Sequence, residues 1–413
     1  MASATPTGTA DIGWRSAPRL VRDPFEFLMG AAAQGPGLVK LNLWPYQVWL
    51  VTEPDLVQQV LTSSRYIKGK LMDGIRLALD DGLFTADNPA WRRHRALVGE
   101  AFARQHFSHI AQVLEAVFTE EVARLDQAAE AEAAVDVLNS GINLNTEIVL
   151  RALVGTDLEP QQRARIVELI DEVFVGMAAR MWTFFVPPWL PTPGGAAYRR
   201  ACAELDALMM TIIAQRREMA PRADMLGALL AASDSDGGLT DEQIRAELKT
   251  MFVAGNESTA TSVAWIVHEL INHPDVASRL VAELDKVLAG RVPTIQDLPQ
   301  LPYLRQVVAE GLRLHPAFPL FFRTAAEPDQ LGERAVRAGD YVVVSPWATH
   351  RDPRWWDEAT TFNPDRFANG VPRPSGSYYP FGVGQRICIG REMAETDAAL
   401  HVGALFGLFD VAP

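Results

Sequence analysis

The chain has 413 residues, 48% of them hydrophobic and 22% charged, proportions of a soluble globular protein able to bury a large core. A formal net charge of -13 argues against a nucleic-acid-binding surface, and two cysteines exclude a disulfide framework. No apolar run reaches the roughly 18 residues of a membrane span, and the N-terminus lacks the basic-then-apolar pattern of a secretion signal, so a cytoplasmic protein is expected.

Residues 1–13 are small, polar and without periodicity, and predict a disordered arm. Leu38–Leu41 and Gln47–Val51 flank Trp44-Pro45-Tyr46, which predicts two short strands around a turn. Pro54 then opens a helix over Asp55–Leu61. Between Arg65 and Asn88 the pattern weakens, through Lys68-Gly69-Lys70, Asp80-Asp81-Gly82 and Leu83-Phe84-Thr85, and a solvated loop is the simplest reading. Trp91-Arg92-Arg93-His94-Arg95 begins a helix with Trp91 and Arg95 one turn apart on one face. Two amphipathic stretches, about Pro160–Met181 and Ala196–Met219, are separated by Phe184-Phe185-Val186-Pro187-Pro188-Trp189-Leu190-Pro191, whose prolines forbid one continuous helix.

Thr240 followed by Gln243 makes a capping box, and the helix it opens can run from Asp241 to Asn272, where Pro274 stops it. That is close to ~50 Å at about 1.5 Å per residue, enough to cross the molecule. Its middle, Ala254-Gly255-Asn256-Glu257-Ser258-Thr259-Ala260-Thr261, consists of poor helix formers, a local cost that points to function. Glu310 and Arg313 face one side of a later helix; taken alone, such a pair is a surface ion pair of small worth. Phe318–Arg323 is extended and apolar and ends in a charge, and Gly339-Asp340 turns the chain into a buried strand at Tyr341–Val344.

The stretch Phe381-Gly382-Val383-Gly384-Gln385-Arg386-Ile387-Cys388-Ile389-Gly390 reads as a metal-thiolate loop. A thiolate is favoured by a helix N-terminus and by nearby cations, and this sequence offers both. Gly382 and Gly384 permit backbone angles closed to other residues and let a flat ligand approach, while Gly390 leaves room beside the sulfur. Phe381 can lie against the ligand's edge, and Arg386 can pair with an acidic group on it. A zinc site would want partner ligands at short spacing, and Cys202 is far away in sequence. An inert buried cysteine is the plainer alternative.

These residues fit F-x-x-G-x-R-x-C-x-G, and here the sequence resembles the cytochrome P-450 family of haem-thiolate monooxygenases, in its soluble bacterial form. The resemblance implies a mainly α-helical fold with small β-sheets, as a single haem domain over residues 14–413. It makes Cys388 the fifth ligand of a haem b iron, where the thiolate pushes electron density onto the metal. W-x-x-x-R is matched by Trp91 and Arg95, which would hold a propionate; Arg323 would hold one too, and His350 would either bond a propionate or cap a loop. Asp81-Gly82-Leu83-Phe84 resembles the part above the iron, with Phe84 as a substrate contact. The proline-hinged helix pair resembles a lid over the substrate channel, to which Phe174, Met177, Met181, Phe184 and Phe185 would present apolar surface, helix packing being the alternative for each.

The long helix resembles A-G-x-E-T-T, in which the small pair opens a groove for oxygen and an acid-alcohol pair delivers protons. Ala254 would line that groove, and Glu257, Ser258 and Thr259 would relay protons. Ser258 stands where threonine is usual and lacks the methyl that fixes the rotamer, which puts coupling of reductant to product in question. Glu310 and Arg313 resemble E-x-x-R, completed by Arg366 into a buried structural triad. Phe318 and Leu320 would face substrate. Arg92, Arg93 and Arg391 could form a basic patch for an acidic electron donor or a plain solvated face. The chain ends at Pro413, where the family continues into a strand hairpin, so either the sequence is a truncated piece or one pocket wall is missing.

The expected activity is insertion of one oxygen atom from dioxygen into an apolar small molecule, terpenoid or fatty-acid-like, with two electrons from a separate ferredoxin and reductase. A peroxide-driven enzyme of the same fold and a non-catalytic haem sensor or carrier are the alternatives.

Overall fold

A computed structural model describes residues 11–12, 19, 22–35, 37–43, 46–102, 104–155, 158–182, 193–222, 224–233, 238–370 and 374–412. The arm at residues 1–13 and the prolines of the hinge, with Phe184 and Phe185, lie largely or wholly outside them, as does the Met181 side chain.

The fold is mainly α-helical with small sheets. The helices begin with α1 (Pro24–Gln34), α2 (Pro54–Thr62), α3 (Asp73–Leu79), α4 (Ala90–Ala101), α5 (Arg104–Glu130) and α6 (Val137–Val154). They continue with α7 (Pro160–Trp182), α8 (Gly195–Arg217), α9 (Met225–Ser233), α10 (Asp241–Asn272), α11 (Pro274–Leu288) and α12 (Pro302–Leu314). The short α13 (Pro346–Thr349) and the long α14 (Arg391–Leu408) complete them. Proline at the first turn starts α1, α2, α11 and α12, where its missing N–H costs nothing. The expected capping box is formed at α10, with Gln243 N–H donating to Thr240 Oγ1 and the Gln243 side chain accepting from Thr240 N–H.

The strands are β1 (Asp11–Ile12), β2 (Leu38–Leu43), β3 (Tyr46–Val51), β4 (Tyr66–Ile67), β5 (Phe321–Ala325), β6 (Asp329–Leu331), β7 (Arg334–Val336) and β8 (Tyr341–Val344). Among the described residues a six-stranded sheet has the order β1-β2-β3-β8-β5-β4, and β6 pairs with β7 separately. The β2–β3 hairpin is antiparallel, Leu38 opposite Val51, and β8 joins β3 in parallel and β5 antiparallel. This pairing carries Arg323, in the middle of β5, to the sheet's inner side, where it is buried.

Helix α10 runs through the largest apolar cluster, packed chiefly on α6 and also on α14, α8 and α12. The segment from Arg65 to Asn88 departs from the solvated loop expected. It contains β4, a 3-10 turn over Gly69–Met72 and α3, whose Ile75, Ala78 and Leu79 enter the core. Its polar residues hid this because they bond one another. Arg76 donates to the carbonyls of Gly69 and Thr85, each at 2.9 Å.

Candidate functional site

The cysteine loop is a tight structure before α14. A 3-10 turn over Gly384–Arg386 bends it, and Cys388 N–H donates to Phe381 O at 3.0 Å. Gly382 and Gly384 take φ of +73° and +75°, the left-handed region expected of glycines there. A Cβ on Gly384 would also come within 2.7 Å of Thr62 Cγ2. One on Gly390 would meet nothing within 4 Å, so space lies open two residues beyond the sulfur. Phe381 packs partly on the apolar cluster of α10–α12.

Cys388 is exposed, yet burial is the largest influence on its thiol and raises its pKa. Both hold where a sulfur sits at the floor of a recess. The Gly390 N–H, Arg95 and Arg391 pull the other way, and Glu395 adds to the rise. The helix end and cations act in the expected direction but do not outweigh desolvation in the metal-free chain. A metal ion is what would complete the stabilisation of a thiolate there.

Beside the recess the fold gathers cations. Arg386 donates to Ala86 O at 2.9 Å, and its guanidinium lies 4.4 Å over the Trp91 ring. Trp91 is buried, and Arg95, one turn on, is half-buried; burial lowers its pKa and Cys388 opposes that. Arg323 is 4% exposed, and burial, then Arg386, lower its pKa to about 10. Lys68, in a segment whose sequence predicts a solvated loop, is buried; burial, then Arg323 and Arg386, hold its ammonium well below the usual lysine range. Asp87 offsets them, lying 3.6 Å from Arg386 and accepting from the Lys68 and Gly69 N–H groups. One carboxylate against Lys68, Arg323 and Arg386 leaves a surplus of buried positive charge. A ligand with two carboxylates would neutralise it, and haem carries two propionates, so the donor set fits that group.

The middle of α10 forms another wall. Ala254 is exposed between the buried Phe252, Val253 and Asn256. Its neighbour Gly255 points elsewhere, since a Cβ there would come within 2.8 Å of Val149 Cγ2 on α6. Of the small pair, only Ala254 is on the open side; the glycine serves close helix packing. Asn256 is pinned to α6, accepting from Thr146 Oγ1 and Asn145 Nδ2, each at 3.0 Å. Ser258 Oγ donates to Ala254 O at 2.8 Å, which leaves its lone pairs able to accept. Glu257 is half-buried, and burial, then Asp171 of α7, push its carboxyl above the usual range. Thr259 is buried.

Phe84 and Phe318 face each other, ring centroids 6.3 Å apart, and the Lys68 ammonium lies 4.4 Å over Phe84. Leu320 packs instead on the cluster between α1 and the sheet, and Met177 is buried in the main core.

The cytochrome P-450 family model matches residues 22–413. The chain belongs to the cytochrome P-450 family. This P-450 is 34% identical to cyclooctatin synthase of Streptomyces melanosporofaciens over 95% of its own length and 87% of the relative's. It is 32% identical to pentalenene oxygenase of Streptomyces avermitilis, over 95% and 88% of the two chains. Among solved structures the haem domain of cytochrome P450DA matches with a TM-score of 0.83 at 26% identity, covering 93% of this chain and 86% of that one. A zebrafish cytochrome P-450 with progesterone matches at 0.80 and 25% identity, covering 94% and 92%. The chain is therefore a monooxygenase-family oxidoreductase, and haem and dioxygen are what the family uses. No helix among the described residues is long and apolar enough to cross a membrane.

In this P-450, Glu310, Arg313 and Arg366 meet as the E-x-x-R pattern implied. Arg366 Nε lies 3.2 Å from Glu310 Oε1, and Asn363 N–H donates to the same oxygen at 2.8 Å. His350 takes the structural alternative in place of the propionate contact. Its Nε2 accepts from Tyr379 N–H at 3.0 Å and its Nδ1 donates to Arg313 O at 3.1 Å, so neither ring nitrogen is left for a propionate. Arg92 and Arg391 are exposed, and Arg93 donates to Gly238 O.

Proposed function

We propose that this P-450 inserts one oxygen atom from dioxygen into a cyclic terpenoid, with electrons from a separate ferredoxin and its reductase. The recess at Cys388, open beside Gly390 and flanked by buried cations, carries the haem-thiolate part of the reading. The terpenoid part is supported by relatives called cyclooctatin synthase, cyclooctat-9-en-7-ol 5-monooxygenase and pentalenene oxygenase, each 32–34% identical.

In this reading residues 14–413 act as one haem domain, in which Cys388 would ligate the iron and Trp91, Arg95, Arg323, Arg386 and Lys68 would hold the propionates. When bound, haem supplies the iron centre at which dioxygen is activated. The protein's part is positioning and proton supply. Burial and Asp171 bring Glu257 closer to neutrality, where a carboxyl gives up and regains a proton readily. Ser258 Oγ donates to Ala254 O and keeps its lone pairs, so by turning its O–H from that carbonyl toward the pocket the hydroxyl would give a proton there and take another from the Glu257 side. Phe84 and Phe318 offer only apolar surface, which holds a hydrocarbon by burial at about 25 cal/mol per Å² and excludes water. Ala254 keeps the wall of α10 low. Exposed Arg92 and Arg391 suit an acidic ferredoxin.

The test is the absorption spectrum of the reduced protein with carbon monoxide, beside Cys388→Ser. A strongly red-shifted Soret band, lost in the variant, is expected; a haem spectrum unchanged by the substitution overturns the ligand assignment. Spin-state titration with cyclic sesquiterpenes and diterpenes against straight-chain fatty acids then tests the substrate class. Labelled dioxygen with ferredoxin and reductase should place one labelled atom in product.

A further inference from the structure

Between α3 and α4 the chain is held to α10 at successive positions. Asp80 ends α3 with φ of +49°, a left-handed value uncommon outside glycine. Its Oδ2 lies 2.9 Å from Arg245 Nη2 and 2.9 Å from Lys249 Nζ, cations one turn apart on α10. Asp206 of α8 pairs with the same two, at 3.5 Å from Arg245 Nε and in contact with Lys249 Nζ. Two carboxylates and two cations therefore alternate in a closed quartet, and the Lys249 side chain is fully buried at its centre. Just beyond, Gly82 lies so close to α10 that a Cβ would stand 2.9 Å from Ala246 O. Leu83 N–H donates to Glu247 Oε2 at 3.1 Å, and Glu247 Oε1 lies 2.7 Å from His94 Nδ1 on α4. The next residue is Phe84.

An ion quartet that is buried only at Lys249 is a poor source of net stability, because its partly solvated members are screened and the desolvation of Lys249 offsets much of the Coulomb attraction. What it supplies is a preferred geometry, since all four partners must keep their places for the contacts to close. Here that geometry holds the four residues leading to Phe84, Asp80 to Leu83, and it ties them to α8 as well as to α10.

We propose that Asp80, Arg245, Lys249 and Asp206 form a positioning latch that sets where Phe84 stands and ties that placement to α8. The four residues touch neither substrate nor haem and act through Phe84. Ligands larger than the closed pocket reach the iron only when Asp80 leaves the cations, so selectivity by size depends on the latch. This rests on the substrate-side role of Phe84 and not on the terpenoid assignment.

The haem-loaded protein and its Lys249→Met, Asp80→Asn and Lys249→Arg variants are mixed with imidazole and with the bulkier 4-phenylimidazole, and binding is followed by the Soret shift. Hydrogen exchange of the peptide covering Asp80–Phe84 is measured on the same samples and on the haem-free chain. For Lys249→Met and Asp80→Asn, 4-phenylimidazole should enter and leave about tenfold faster while imidazole changes by less than about twofold, because the open population rises and only the larger ligand needs it. Exchange of the peptide should rise, and Lys249→Arg should restore both readouts. Unchanged exchange, or equal acceleration for both azoles, overturns the latch. Asp80→Asn leaves Lys249 paired with Asp206, so it decides the question if Lys249→Met folds poorly. Absence of a haem spectrum would count against the haem reading alone, since exchange on the haem-free chain still tests the latch.

Discussion

Arg313 meets Glu310 with two parallel contacts, Nε to Oε2 at 2.6 Å and Nη2 to Oε1 at 2.8 Å, and both side chains are fully buried. The same guanidinium donates to the carbonyls of His350, Ala359 and Thr361, so one side chain ties α12 to two segments on the way to the cysteine loop. Arg313→Ala would leave a buried carboxylate with Arg366 as its remaining cation. A cost of about 3–5 kcal/mol is expected, seen as a lower thermal midpoint and protein purified largely without haem. Arg366→Ala should cost less, about 1.5–3 kcal/mol for a lost bond to a charged group. Equal loss in the two variants would contradict this ranking.

Lys68 gives a prediction of opposite sign in the two forms of the protein. In the haem-free chain its ammonium is desolvated and repelled by Arg323 and Arg386. Lys68→Met should raise the thermal midpoint of the haem-free protein. It should also speed haem transfer to apomyoglobin about tenfold, the equivalent of roughly 1.4 kcal/mol. A variant that retains haem as well as the parent would remove Lys68 from the propionate site.

Three fully buried groups contribute to the acid limb of stability. Burial lowers the pKa of His350 from 6.5 to about 3 and of His401 from 6.5 to about 4, and raises that of Asp397 from 3.8 to about 7. For the histidines the folded pKa is depressed, so their stability is present above 6.5 and lost as pH falls below it. For Asp397 the folded pKa is raised, so its stability is present at low pH and lost as pH rises toward 7. Between about 6.5 and 4 the unfolded chain gains two protons on the histidines and the folded chain one on Asp397. One proton net favours unfolding. From pH 6.5 to 5 the three together should cost about 1–2 kcal/mol, and Asp397→Asn should deepen that to about 3 kcal/mol by removing the offset. Denaturant midpoints at pH 7, 6 and 5 measure both slopes; equal slopes would reject the assignment.

Ser258 and Glu257 separate proton supply from binding. Ser258→Ala loses the bond to Ala254 O but no apolar contact, so haem content and ligand affinity should hold while more reductant is diverted to peroxide. Ser258→Thr should improve coupling by fixing the rotamer. Glu257→Gln should lower kcat about 10²-fold with KM little changed and a larger solvent isotope effect. Peroxide-driven turnover should be insensitive to Ser258→Ala. A loss of substrate affinity equal to the loss of kcat would mean that these residues bind and do not relay.

The sequence by itself determined the local and motif-borne parts. Prolines at first turns, the Thr240–Gln243 box, the run of weak helix formers around Ala254 and the spacing through Cys388 all act within a few residues. The bounds of α10 follow from them, the β2–β3 hairpin follows from the two apolar runs about Trp44-Pro45-Tyr46, and the Glu310–Arg313–Arg366 triad was legible through its family pattern. Only the tertiary structure decided the burial of Lys68, the capture of both His350 nitrogens, the turn of Gly255 toward α6 and the quartet around Lys249. Each depends on groups brought together from distant parts of the chain. Lys249 meets Asp80 across 169 positions of sequence numbering, and whether a charge is solvated or paired is fixed by that meeting. Periodicity reports which face of an element is apolar, and it carries no information about which charged group stands opposite.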